Sequence, residues 1–522
     1  MNRKKHTRLF ALVLFSVAAL LRIALALQPG LWADEIFSLA MATGHSLEHP
    51  AADANPALGD YVEPQQAQTP SVFRRYMQHE TPPAGAGRVI RAVVLSDTNP
   101  PLYYLLLNMW TRCAGTSDAA LRLFSTLLAL ACFPLLWTLG RKVGGESTVW
   151  IACVLFTFSP RALHYSSEGR MYSLVWFLAL LLAWSTFALA NHGPRWYLVL
   201  LWSLVGASGL LTHYFFVFVW LACFAWLWLH PGALSRAHLT GAAVLMGFLI
   251  LPWYFQIPES LSRWRVTGGW LANPLSWKQA LSSPFLLAWS QLSGRGPWGG
   301  SFWADCLAAG LYGLLIVVIL RQGLRHLFSK PRLMLWLWLL ASCLGPALFD
   351  LIMHTCASTI PRYALPALPA AMLIAALGIN SLPRKKQVAF ILLILLTWLP
   401  GIHGLYSGPS RPWESYPAVT DRLETSIRPA DLVIVHSIPS GILGVARYMG
   451  TSTPIASWVV QLAQRRVPAD LDALLADRRK VALIKIHYME KSSPAEVWLR
   501  EHTTLEGEDR LNPYTEILYF QP

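Results

Sequence analysis

Asp34 and Glu35 stand side by side in Gln28-Pro-Gly-Leu-Trp-Ala-Asp34-Glu35-Ile-Phe-Ser-Leu-Ala40, shortly beyond the apolar run Leu9–Leu27. Neighbouring carboxylates repel, so a pair close to a membrane surface suits a general base, a metal ligand or both. Acids also favour a helix N-terminus, and Ile36–Met41 has a helical pattern, so both readings stay open. A second group is Ser159-Pro-Arg161-Ala-Leu-His164-Tyr-Ser-Ser-Glu168-Gly-Arg170-Met-Tyr172, between two apolar segments. Ionisable residues at membrane depth are candidates for function; pairing of Glu168 with Arg161 or Arg170 is the structural alternative. Thr212-His213-Tyr214 breaks a long apolar stretch, and a lone His there serves structure as often as chemistry. In Asn99-Pro-Pro-Leu-Tyr103-Tyr104, proline at a helix start is structurally ordinary. Ile360-Pro-Arg362-Tyr363 sets one cation and one phenol at the edge of a late apolar segment, as an interfacial anchor or a phosphate clamp.

The elements that must position these residues are membrane helices. Of 522 residues, 54% are hydrophobic and 13% charged. A soluble domain is about a quarter charged, so this composition excludes an ordinary soluble globule and a disordered chain. Net charge is +14. Residues 1–409 hold 29 Lys/Arg against 14 Asp/Glu, and residues 410–522 hold 13 against 14. The positive excess therefore belongs to the apolar part, where positive-inside loops and anionic lipid account for it; without a soluble basic domain, nucleic-acid binding is not expected. The seven cysteines lie in or beside apolar segments, form no CxxC or zinc spacing, and read as packing residues.

Arg3, Lys4, Lys5 and Arg8 precede the first apolar run, which is long for a signal peptide and reads as an uncleaved first span. A polar stretch, 28–100, follows. Further apolar segments lie at about 101–116, 120–139, 148–163, 171–190, 196–212, 214–230, 239–257, 304–321, 333–353, 363–380 and 387–405. Segment 101–116 is short for a crossing of about 20 residues. Residues 196–229 suit a tight hairpin broken at Thr212-His213-Tyr214. Basic clusters at Arg141-Lys142, Arg195, Arg236-His238, Arg321–Arg332 and Arg384-Lys385-Lys386 place those ends in the cytoplasm. The loops Ser159–Tyr172, Thr212–Tyr214, Ile257–Trp303 and His354–Arg362 then face outward, provided that segment 101–116 does not cross. From Pro409 the pattern becomes soluble: strands at 431–436, 481–486 and 516–520 and helices at 468–479 and 494–502. The expected fold is an all-α polytopic membrane domain of about 11–13 helices, residues 1–409 with a large first outer loop, and a small extracytoplasmic α/β domain, residues 410–522.

Ala33-Asp34-Glu35, Asn99-Pro-Pro-Leu-Tyr-Tyr104, the Ser159-Pro to Tyr172 segment, Thr212-His-Tyr214 and Pro361-Arg-Tyr363 occur in the order seen in polyprenyl-phosphate-sugar-dependent glycosyltransferases of the GT-C class. Over roughly residues 9–405 the chain resembles that class, including its protein-mannosyltransferase-like (family 39) and aminoarabinose-transferase-like bacterial members. The resemblance implies a GT-C membrane fold and a first outer loop whose leading acid, Asp34, is catalytic, with Glu35 beside it. Asn99, Tyr103, Arg161, His164, Glu168, Arg170, Tyr172, His213, Tyr214, Arg362 and Tyr363 then contact the substrates. The family often has His or Lys before Pro-Pro; here Asn99 is uncharged, so Arg170 and Arg362 become the candidates for the lipid phosphate.

The implied activity is transfer of a sugar from a polyprenyl-phosphate donor to an acceptor glycan, lipid or protein of the cell envelope. Transfer takes place outside the cytoplasm of a bacterial inner membrane, with the active site facing the periplasm or exterior. One base and a direct displacement predict inversion; a second carboxylate as nucleophile, Glu168 or Glu35, would predict retention. No cofactor is required by the pattern, and a divalent ion bridging Asp34, Glu35 and phosphate stays open without a convincing ligand set. The 258–303 loop and the α/β tail are candidates for acceptor recognition. Alternatives are a lipid-linked-sugar transporter or flippase, which predicts inverted repeats that the sequence does not display, and a glycan ligase or polymerase.

Overall fold

The structure is a computed structural model that describes residues 2–48, 54–96, 99–232, 234–256, 271–293, 302–321, 329–408, 415–459, 465–486 and 493–522. Of the expected 258–303 recognition loop, residues 258–270 and 294–301 lie outside the described residues. The chain forms two compact units. The first comprises Met1–Ala26, Thr98–Tyr103 and Arg122–Ser407; the second comprises Leu27–Asp97, Tyr104–Leu121 and Gly408–Pro522.

Seven described helices are long and apolar enough to cross a membrane: Arg8–Ala26, Asp118–Phe158, Tyr172–His192, Arg236–Tyr254, Lys330–Met353, Pro361–Asn380 and Arg384–Ser407. Shorter apolar helices are Trp196–Leu210, Phe216–Leu229 and Cys306–Arg321. The 41 residues of Asp118–Phe158 would run roughly 60 Å as one straight helix, twice the bilayer core. The backbone leaves helical geometry at Gly145, with φ 80°, so the stretch is two helices meeting at a residue that tolerates this conformation. The expected hairpin is present, with helices Trp196–Leu210 and Phe216–Leu229 flanking the break. Helix Leu102–Ala114 has 13 residues, about 20 Å, short of a bilayer core.

Side chains of other helices bond carbonyls of the proline-rich segment Pro361–Ala367 in this unit. The Leu365 carbonyl accepts the Leu368 N–H at the end of this 3₁₀ segment and takes a second donor from another helix. Trp176 Nε1–H donates to that carbonyl at 2.8 Å. Trp338 Nε1–H donates to the next carbonyl, Pro366, at 2.8 Å. These bonds tie helices Tyr172–His192 and Lys330–Met353 to the 3₁₀ segment Pro361–Ala367.

The second unit is built on a five-stranded sheet of order β2-β1-β3-β5-β4, with β1 Leu432–Ser437, β2 Ile455–Val459, β3 Val481–Ile486, β4 Thr504–Asn512 and β5 Thr515–Gln521. β1 pairs in parallel with β2 and β3, and β5 pairs antiparallel with β3 and β4. Helices Ala469–Leu475 and Pro494–His502 supply Leu471, Leu474, Leu475, Ala495 and Leu499 to an apolar layer with Leu432, Ile434, Leu483 and Phe520.

The polar stretch after the first span folds onto this sheet. Gln68 and Ile455 exchange backbone hydrogen bonds of 2.9 and 2.7 Å along the β2 edge. The Glu63 carboxylate accepts from Ser457 Oγ (2.9 Å) and from the Val459 N–H (2.7 Å). Burial pushes the Glu63 carboxyl above the usual range, against the pull of these two donors. Arg465 donates to the carbonyls of Pro64, Gln65 and Ser457. An open strand edge is thereby covered within the chain.

Candidate active site

Asp34 and Glu35 belong to the second unit; the other candidates belong to the first. Both acids lie in the first turn of helix Ala33–Ala42. Glu35 is fully buried, and its Oε2 accepts the Trp32 N–H at 3.2 Å. That is capping of an orphan donor at the helix start. Asp34 is half-buried, and its carbonyl accepts from Ser38 Oγ at 2.8 Å.

The turn before this helix is tethered by Asp118. Its carboxylate accepts from the Gly30 N–H (2.9 Å), the Tyr448 hydroxyl (2.6 Å) and the Arg447 guanidinium (2.8 Å). Tyr448 Oη in turn accepts the Leu31 N–H at 2.7 Å. Helix Ala33–Ala42 itself packs against helices Pro439–Tyr448 and Ala86–Ser96. Asn108 Nδ2 donates to the Ala42 carbonyl, 2.7 Å, at its other end.

In the first unit, Ser159 caps the short helix Pro160–Ser166, its Oγ accepting the Ala162 N–H. This helix carries Arg161 and His164, both buried. His164 Nε2 lies 3.4 Å from Glu168 Oε2. The sequence alternatives for Glu168 were the two arginines; the ring nitrogen of His164 is a partner that the i,i+4 spacing offers equally well.

Aromatic rings extend this pair into a row. The Tyr165 ring meets His164 at 4.7 Å and Tyr172 at 4.9 Å between centroids. Tyr172 leads to His213 at 6.4 Å, and His213 to Tyr363 at 6.3 Å. The Arg362 guanidinium lies over the Tyr363 ring, 5.7 Å from its centroid. Such a row offers flat apolar faces, a cation and two imidazoles, the chemistry that holds a sugar ring beside an anion.

The remaining candidates attach to it differently. The Arg170 carbonyl accepts from Ser125 Oγ (3.1 Å), whose other neighbour is the Tyr103 hydroxyl at 3.4 Å. Asn99 is half-buried just before helix Leu102–Ala114. Tyr214 makes a separate pair: its hydroxyl accepts from Trp253 Nε1 at 3.2 Å and its ring meets Tyr254 at 5.9 Å. Asp350 fixes the turn Thr355–Ser358 that precedes the 3₁₀ segment carrying Arg362. Its carboxylate accepts from Thr355 Oγ1 and from the N–H groups of Ala357 and Ser358, at 2.6–2.7 Å.

Three residues were missed by the sequence reading, one half-buried and two buried. Tyr165 stood inside the chosen segment and bridges two of its members. Arg122 (2% exposed) and Arg22 (0%) are cations inside apolar helices, a signal by composition alone. Among the described residues, no group of three or more His, Cys, Asp or Glu is placed to hold a metal ion.

Residues 98–255 match the family model described as dolichyl-phosphate-mannose-protein mannosyltransferase. No curated protein sequence matches the chain. Among solved structures, ArnT from Cupriavidus metallidurans in the apo state is similar at TM-score 0.55 and 13% identity, covering 98% of both chains. The same enzyme bound to undecaprenyl phosphate is similar at TM-score 0.51 and 12% identity, covering 97% of both. These identities are low, and what they support is architecture: helices, the folded first loop and the terminal sheet in one chain order. The chain thus shares the fold of ArnT along its length, a helical membrane-spanning part followed by a terminal sheet.

Proposed function

We propose that this chain transfers a sugar from a polyprenyl-phosphate donor to an acceptor hydroxyl on the extracytoplasmic side of a bacterial inner membrane, with inversion at the anomeric carbon. The observation that carries this reading is the row from Glu168 and His164, which are buried, to the half-buried Tyr363 and Arg362, set in a fold shared over its length with ArnT, one of whose structures holds undecaprenyl phosphate. Outward placement follows from the basic clusters at the opposite helix ends.

In this mechanism Asp34 takes the proton of the acceptor hydroxyl. The hydroxyl oxygen bonds to the anomeric carbon while the bond from that carbon to the phosphate oxygen breaks. Polyprenyl phosphate departs with the electron pair. Arg170 and Arg362 stabilise the charge that grows on it. Tyr172, His213 and Tyr363 hold the sugar, and apolar helices hold the isoprenoid. Glu35 keeps the helix start in place through its bond to Trp32. The sheet unit, residues 410–522 with the stretch folded onto it, presents the acceptor.

Purified protein in lipid nanodiscs, given a labelled polyprenyl-phosphate sugar and envelope acceptors, tests this. Release of polyprenyl phosphate coupled to labelling of an acceptor is the expected result. Binding or translocation of intact donor without cleavage would replace it with a transport function.

A further inference from the structure

Arg22 lies near the outer end of the first span, fully buried. Its Nη2 donates to the Phe156 carbonyl at 2.7 Å. Its Nη1 reaches the carbonyls of Thr157 (3.4 Å) and Ala18 (3.2 Å). The guanidinium sits over the rings of Phe156 and Phe133, at 5.2 and 5.7 Å from their centroids.

The Phe156 carbonyl is the one that a continuing helix would bond to residue 160. Residue 160 is proline and has no N–H. A carbonyl left open inside an apolar unit is strongly disfavoured. Arg22 supplies the missing donor from another helix. Directly after the gap comes the short helix bearing Arg161 and His164. Leu163 of that helix packs with Leu25 of the first span and with Leu405. The first span therefore holds this helix by an apolar contact and by a cation at its root.

We infer that Arg22 is a positioning residue: it closes the hydrogen-bond gap at Phe156–Pro160 and so sets the direction of the helix that carries Arg161 and His164 into the site. The catalytic part of this inference rests on the proposed function; the structural part does not. Lysine at this position would offer its three donors from one nitrogen, whereas the guanidinium fork meets neighbouring carbonyls from one plane.

The test uses Arg22→Met and Arg22→Lys in the full chain, reconstituted in nanodiscs. Backbone hydrogen exchange is followed by mass spectrometry, beside steady-state transfer kinetics. In Arg22→Met, exchange over residues 157–170 should rise about tenfold or more, the scale of one charge-assisted hydrogen bond, with the other spans unchanged. The kcat should fall by a similar factor while the acceptor KM holds. Arg22→Lys should lie between the two proteins. Unaltered exchange over 157–170, a rise spread over all spans, or an unchanged kcat beside faster exchange would each overturn the inference. Should Arg22→Met fail to insert, Arg22→Lys with wild-type exchange and kcat would do the same. Absence of transfer by the unmodified protein would sink the glycosyltransferase reading instead, and the exchange result would still decide the role of Arg22.

Discussion

Asp118→Ala removes a single acceptor shared by Gly30, Tyr448 and Arg447. A hydrogen bond to a charged group contributes roughly 1.5–3 kcal/mol. The three share one carboxylate, so their contributions do not add. Arg447, 15% exposed, also loses its ion-pair partner, and breaking a largely buried pair costs about 3–5 kcal/mol. A destabilisation of about 3–4 kcal/mol is the resulting estimate for the second unit. At roughly 2–4 °C per kcal/mol for a unit of this size, its Tm should fall by roughly 6–16 °C. Asp118→Asn keeps an acceptor oxygen without the charge and should lose about half as much. The effect also has an address. Gly30 and Leu31, four and three residues before Asp34, lose the anchor and the phenol that it orients. Hydrogen exchange at these two amides should speed up together with a drop in kcat. Scanning fluorimetry and exchange on the reconstituted protein read both arms. An Asp118→Ala protein with unchanged melting and unchanged protection of Gly30 and Leu31 would refute the tether.

Two further outcomes follow from the geometry. Arg362→Ala should raise the donor KM about tenfold or more, the scale of one charged contact to phosphate, and Arg362→Lys by less; initial rates over a donor series check this, and an unmoved donor KM counts against the clamp. Burial, with Lys485 beside it, holds His436 down at about 4 from an ordinary 6.5. The folded chain therefore binds this proton less tightly than the unfolded chain. The contribution to stability is complete above pH 6.5 and is lost as pH falls through 4, to the extent of about 3 kcal/mol. His436→Asn should flatten the acid limb of a Tm-against-pH series; an acid limb identical to that of the unmodified protein would contradict this.

Local patterns carried much of the architecture. The hairpin break at Thr212-His213-Tyr214 and strands β1, β3 and β5 follow from hydrophobic runs and their punctuation. β4 escaped notice because Thr504–Asn512 is rich in charge, its Glu506, Glu508 and Arg510 alternating with half-buried positions. It is an edge strand, where charge deters pairing with other chains. β2, only five residues long, gains its place from partners far away in sequence, Gln68, Glu63 and Val433 among them. Helix Trp277–Leu292 was hidden inside a loop rich in Trp and Gly, although Ser276 and Gln279 form a capping box at its start. At the site, the candidate segments were legible as polar islands in apolar surroundings. Which members touch was not, because the row from Tyr165 to Tyr363 joins three separated segments through ring packing. Arg22 was overlooked for a similar reason: its partner is a carbonyl made available by a proline more than a hundred positions later.

Asp34 as the base is the claim on which the mechanism turns, and Asp34→Asn in single-turnover transfer addresses it most directly. With donor prebound and acceptor in excess, the variant should bind donor as the unmodified protein does and form product about 10²–10⁴-fold more slowly, the range of general-base contributions. Product formation at the unmodified rate would contradict the assignment and move the proton transfer to another group.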